Sequence, residues 1–163
     1  MSQKPKYSKN ALKFKRFNTK NGVAATDLYE YEYRTSVIKN PAGDEVFKMD
    51  NVEVPKDWSQ VATDILAQKY FRKAGVPLED GTTGSETSVK QVAHRLADCW
   101  KTWGERYGYF ATKKDAQVFY DELVFSILGQ MAAPNSPQWF NTGLHNSYGI
   151  TGGPQGHMFV DPE

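Results

Sequence analysis

The sequence predicts an α+β protein: a mainly α-helical lead-in with an N-terminal β-hairpin before it and an irregular carboxy-terminal arm after it. Three observations carry this expectation. Large side chains alternate with charged or small ones from Leu28 to Ile38, the period of a half-buried strand. Three later stretches space apolar residues three and four apart, as one face of a helix requires. After Pro134 that period stops among turn formers and large aromatics.

The elements follow in order. The alternating run Leu28 to Ile38 is the first strand. Asn40-Pro41-Ala42-Gly43-Asp44 supplies a turn, and Glu45-Val46-Phe47-Lys48-Met49 with Val52 and Val54 returns as the second strand. Pro55 ends extended structure, and Asp57 is placed to cap a helix by accepting from a free backbone amide. That helix runs from Trp58 with Val61, Ala62, Ile65, Leu66 and Tyr70 on one face, and Gly75 and Pro77 close it. Leu78 to Glu86 is polar and aperiodic, and reads as an exposed loop. From Thr87 a second helix carries the stripe Val89, Val92, Ala93, Leu96, Trp100 and Trp103 as far as Gly104. A third begins near Asp115, where Thr112 and Asp115 have capping-box spacing, and buries Ala116, Phe119, Tyr120, Leu123, Ile127 and Met131 before Pro134 ends it.

Composition narrows the function classes. At 163 residues, 39% hydrophobic and 24% charged, the chain suits one domain with a real core. It lacks a long apolar run, so no membrane association is expected and a soluble, cytoplasmic protein is. The single cysteine, Cys99, permits neither an internal disulfide nor dithiol chemistry, and its place beside an apolar stripe reads as a small buried hydrophobe. His145 and His157 are too far apart for a one-helix metal pair, so no metal site is expected and both read as structural. Net charge is +1, but Lys4, Lys6, Lys9, Lys13, Lys15, Arg16 and Lys20 form an acid-free block with Tyr7, Phe14 and Phe17 between them. This block reads as a solvated, flexible leader, or as a nucleic-acid or phosphate contact.

The last thirty residues carry the functional argument. The ordered string Met131-Ala132-Ala133-Pro134-Asn135-Ser136-Pro137-Gln138-Trp139-Phe140-Asn141-Thr142-Gly143-Leu144, then Tyr148-Gly149-Ile150 and Gly153-Pro154-Gln155-Gly156-His157, resembles the segment leading into the catalytic barrel of class II ribonucleotide reductases. Val54 to Gln60, Ala67 to Phe71 and Phe119 to Leu123 are similar to the helical lead-in of the same enzymes. The resemblance covers the chain from Leu28 onward and implies three parts: a basic leader, 1–24; a hairpin plus helical domain, 25–133; and the truncated start of a ten-stranded α/β barrel, 134–163.

The resemblance also implies an activity. Such enzymes reduce the ribose 2′-hydroxyl of a ribonucleotide, using adenosylcobalamin to generate a thiyl radical on a cysteine, with a cysteine pair supplying electrons. The hydroxyl of their Ser-Pro pair contacts the substrate phosphate, which corresponds here to Ser136. Asn135, Pro137 and Asn141 support that loop, or the asparagine amides donate to the phosphate themselves. Backbone amides after Pro137 are expected to add donors. Trp139 and Phe140 read as core rather than as a platform for the base.

The family's thiols lie downstream of Glu163, so no catalytic residue is expected in this chain and alone it should be inactive. It would be a fragment, a split-gene product or an interrupted precursor, and a barrel-entering strand with an exposed helix face would need its remainder. The expected partners are a ribonucleoside di- or triphosphate, the missing C-terminal portion and a thiol reductant. The competing reading is a non-catalytic module that binds nucleic acid or a protein through the basic N-terminus.

Overall fold

A computed structural model describes residues 4–152. The alternating segment forms strand β1 (Tyr31–Lys39), which pairs antiparallel with β2 (Glu45–Pro55). Asn40 builds the turn, its side-chain oxygen accepting from the amides of Ala42 and Asp44, both at 2.9 Å. Burial is deepest at the end of the hairpin away from its turn, where Val52 and Val54 face the helices, and reaches Ser36 in mid-strand, while Val46 near the turn stays exposed. The first strand starts later than its pattern predicts, because Ala25–Leu28 closes into a 3-10 turn instead.

Helix α1 (Gln60–Ile65) starts two residues later than expected. The amide of Trp58 bonds the Pro55 carbonyl in a turn, and Ser59, not Asp57, caps the helix by accepting from Ala62. Arg34 fastens the hairpin to this corner through the carbonyls of Trp58 at 2.5 Å and Lys56 at 2.9 Å. After one turn Leu66–Tyr70 continues with π-helical bonds, Phe71 donating to Leu66 at 3.0 Å. One extra residue per turn rotates the face. Val61 and Ile65, in the regular turn before it, already point outward, while Thr63, Leu66, Ala67 and Phe71 are buried.

The expected loop Leu78 to Glu86 is closed by a short antiparallel pair, β3 (Val76–Pro77) just before it and β4 (Thr83–Gly84) within it, and its last residue, Glu86, is buried rather than exposed. Helix α2 (Val89–Tyr107) opens on a capping box made by Ser88 and Gln91 and runs past Gly104 to a left-handed Gly108. Its faces match the stripe: Val89, Val92, Ala93 and Leu96 are fully buried, whereas Trp103 is half-exposed. Helix α3 (Lys113–Leu128) is capped by Thr112, whose oxygen accepts from the Asp115 amide at 3.2 Å. Val124, Ile127 and Leu128 meet the α2 stripe, Trp58 donates its indole N–H to the Leu128 carbonyl at 2.7 Å, and Met131 is exposed.

The basic segment is not a free leader along its described length. Lys6 donates its amide to Glu105 at 2.7 Å, Leu12 exchanges backbone bonds with Tyr109 and Ala111 of the α2–α3 connection, and Phe14 packs edge-on against Phe110 and Phe119. Glu122 of α3 then accepts from the amides of Phe17, Asn18 and Thr19 at 2.9–3.1 Å and from the Thr19 hydroxyl at 2.6 Å. Arg16 pairs with the nearly buried Asp121 at 2.7 Å. The segment is a strap: its backbone, Phe14 and Arg16 hold α2 and α3, and its lysine side chains face solvent.

The carboxy-terminal arm also departs from expectation. Among the described residues no strand follows β4 and there is no barrel; the arm forms two short helices, α4 (Ser136–Asn141) and α5 (Leu144–Tyr148). Pro137 at the first turn of α4 costs no helical bond, and left-handed Gly143 and Gly149 bound α5. The string from Gly153 to His157 lies outside the described residues. Among the described residues no helix is long and apolar enough to cross a membrane.

Candidate functional site

One charge interrupts the apolar stripe of α2, and it organises the arm. Arg95 has no exposed surface, and its guanidinium is shared between a carboxylate and three backbone carbonyls. Nε donates to Glu86 at 2.7 Å, Nη1 to the Thr142 carbonyl at 2.8 Å, and Nη2 to the carbonyls of Trp139 at 2.6 Å and Tyr70 at 3.3 Å. Glu86 is equally buried and accepts also from the Arg72 amide and the Tyr148 hydroxyl, both at 2.8 Å. Burial, followed by the Glu86 charge, pushes the Tyr148 hydroxyl far above its usual range. Every element of the arm is thus tied to one guanidinium, whose planar fork suits several acceptors at once.

Close approach completes the docking. Gly143 lies against the α2 backbone at Arg95, and a Cβ added there would sit 2.0 Å from the Arg95 carbonyl oxygen. Its φ of +83° is also one that glycine alone adopts at little cost.

Ser136 begins α4 and is exposed. Among the described residues its side chain has one hydrogen-bond partner, the Tyr70 hydroxyl at 3.1 Å. Tyr70 belongs to the π turn after α1, and its ring stacks on Trp139 at 5.5 Å and lies at 5.2 Å from Phe140. Tyr70, the last residue of that π turn, thus reaches α4 with both its ring and its hydroxyl. Asn141 donates to the Pro137 carbonyl at 3.1 Å, one turn back along α4. Asn135 is exposed, and its carbonyl accepts from the amides of Gln138 at 3.0 Å and Trp139 at 3.3 Å.

Those bonds correct one expectation. The amides after Pro137 are spent on Asn135, so they are not free donors for a ligand. Nor do the four residues line one pocket. Asn141 faces a cleft of about 970 Å³ between α2 and the arm, together with Cys99, Trp103 and His145. Asn135 lies on an apolar groove of about 570 Å³ beside Trp100, Leu123 and Ile127. Ser136 and Tyr70 stand outside both.

The remaining candidate groups are inert or occupied. Cys99 is buried, and burial raises its thiol above the usual range, the opposite of an activated nucleophile. His94 shares Nδ1 with the Tyr120 hydroxyl at 2.8 Å, His145 is exposed, and His157 lies outside the described residues. Among the described residues no group of His, Cys, Asp or Glu is arranged to hold a metal ion.

Sequence reasoning missed Arg95, Glu86 and Tyr70. A signal existed for Arg95, a charge on the buried face of an otherwise apolar helix. Nothing marked Glu86, one acid in a polar loop.

Comparison with known proteins completes the picture. The family profile described as class II vitamin B12-dependent ribonucleotide reductase matches residues 32–130, the hairpin and the three main helices. The string that begins at Met131 lies beyond that match. Curated relatives are vitamin B12-dependent ribonucleotide reductases: from Bradyrhizobium diazoefficiens, 48% identical with 93% of this chain aligned; from Agrobacterium fabrum, 44% identical over the same share; and from Rhodopirellula baltica, 38% identical over 86%. The chain spans 13–14% of the length of these relatives. It belongs to the class II vitamin B12-dependent ribonucleotide reductase family and corresponds to the amino-terminal region of those enzymes.

Proposed function

We propose that this chain is the substrate-side lead-in of an adenosylcobalamin-dependent ribonucleotide reductase, and that Ser136 donates a hydrogen bond to the substrate phosphate. The observation that carries the reading is the setting of Ser136: an exposed hydroxyl on a short helix whose carbonyls are gripped by a fully buried arginine. A rigid mount matters because a single hydrogen bond adds affinity only if little ordering entropy is lost when it forms.

The substrate on this reading is a ribonucleoside di- or triphosphate, and the product its 2′-deoxy counterpart. Adenosylcobalamin, when bound elsewhere in the enzyme, supplies the radical. The cysteines that carry the radical and the electrons belong to the rest of the enzyme, and a thiol reductant renews them. This chain contributes the phosphate contact and the packed support behind it, and without the remaining sequence it does not turn over.

The test is Ser136→Ala in the full-length reductase. A hydrogen bond to a charged phosphate contributes about 1.5–3 kcal/mol, so KM for the nucleotide should rise roughly tenfold to a hundredfold with kcat little changed. An unchanged KM would remove Ser136 from the site.

A further inference from the structure

The reading of Ser136 leaves open what directs its hydroxyl hydrogen. A serine hydroxyl holds one hydrogen and two lone pairs, and it rotates freely unless a neighbour fixes it. With the amides of Gln138 and Trp139 both spent on Asn135, no backbone donor of that turn occupies Ser136 Oγ. Among the described residues, the one side chain that reaches it is Tyr70, at 3.1 Å.

We infer that Tyr70 is a positioning residue for Ser136: its phenol donates to Ser136 Oγ, leaving the serine hydrogen to point outward at a phosphate oxygen. The inference rests on the proposed role of Ser136. Three features support it independently of that role. The Tyr70 ring is held by Trp139 and Phe140, both on α4, so phenol and serine are carried on one packed unit. Arg95 Nη2 bonds the Tyr70 and Trp139 carbonyls together, which fixes the π turn and α4 relative to each other. The π turn is a local departure from regular helix, and Tyr70 is its last residue. A chain running from phenol to serine to phosphate is also cooperative, since each donated bond strengthens the next.

Tyr70→Phe keeps the ring and its stacking and removes the hydroxyl alone, so the fold is retained. In the full-length reductase it should raise KM for the nucleotide about two- to tenfold, the range of one net neutral hydrogen bond, with kcat held. In a Ser136→Ala background the same change should have no further effect, because Tyr70 acts only through Ser136. Ser136→Thr, which keeps the hydroxyl, should retain sensitivity to Tyr70→Phe.

The outcomes separate cleanly. If Ser136→Ala raises KM and Tyr70→Phe does not, Tyr70 has no positioning role and the Ser136 reading stands. If Tyr70→Phe raises KM equally with and without the serine, Tyr70 contacts the substrate itself and positioning is overturned. If neither change alters KM, both the inference and the reading beneath it fall.

Discussion

Replacing Arg95 with methionine tests how the arm is held. Methionine fills much of the space of the arginine stem and deletes all five of its hydrogen bonds to Glu86, Trp139, Thr142 and Tyr70. What remains is a carboxylate with no exposed surface, whose hydrogen bonds among the described residues come from the Arg72 amide and the Tyr148 hydroxyl. Breaking a buried pair from one side costs about 3–5 kcal/mol, a large share of the ~5–15 kcal/mol that holds a domain together. With a urea slope near 2 kcal/mol/M, the unfolding midpoint of the chain should fall by about 1.5–2.5 M. Adding Glu86→Gln should recover about 2 kcal/mol, because the buried charge is gone, the amide oxygen still accepts from the Arg72 amide, and the amide NH2 donates to the Tyr148 hydroxyl, which can turn to accept. A single variant that loses under about 1 kcal/mol, or a double variant less stable than the single, would refute the reasoning.

Two further outcomes follow from the structure. Burial alone would raise the Glu122 carboxyl, but the Thr19 hydroxyl and the amides of Thr19, Phe17 and Asn18 outweigh it and hold the group at about 2, below its ordinary 4.5. A depressed carboxyl contributes stability that is complete above the unfolded value and lost as pH falls toward the folded one, so the strap should loosen between about pH 4.5 and 2. Amide exchange at Phe17, Asn18 and Thr19 reads this directly, and protection that persists at the acid end of that window would contradict it. Gly143→Ala drives a Cβ to within 2.0 Å of the Arg95 carbonyl in a left-handed backbone and should cost at least about 3 kcal/mol. Gly149→Ala, left-handed but in open space, should cost only about 1–2 kcal/mol by the same urea measurement.

What the sequence made legible was local. Alternation in Tyr31 to Ile38, the Asn40 turn, the Thr112 cap and the Val89 to Leu96 stripe each depend on residues within a few positions, and each matches the structure. What it hid was long-range or irregular. The strap reads as polar because lysines separate its apolar anchors, and nothing local shows Phe14 reaching Phe119 or Glu122 gathering amides from Phe17 to Thr19. The face of α1 is set by what packs on it, so Thr63 turns inward where the spacing predicts Val61 and Ile65, and the π turn after it has no periodic signature to show Tyr70 meeting α4. In the candidate site, Ser136 is reached only through resemblance, while the Arg95 and Glu86 support depends on contacts no spacing encodes. The family profile matches residues 32–130, and the alignments with curated relatives, which cover 93% of the chain, extend into the string after Met131 that suggested the family.

The contact proposed for Ser136 is tested most directly by equilibrium binding to the full-length reductase and its Ser136→Ala variant, comparing the ribonucleotide with its phosphate-free ribonucleoside. The variant should lose roughly tenfold or more in affinity for the nucleotide and none for the nucleoside. Equal affinities for the nucleotide, or the same loss for both ligands, would contradict a phosphate contact at Ser136.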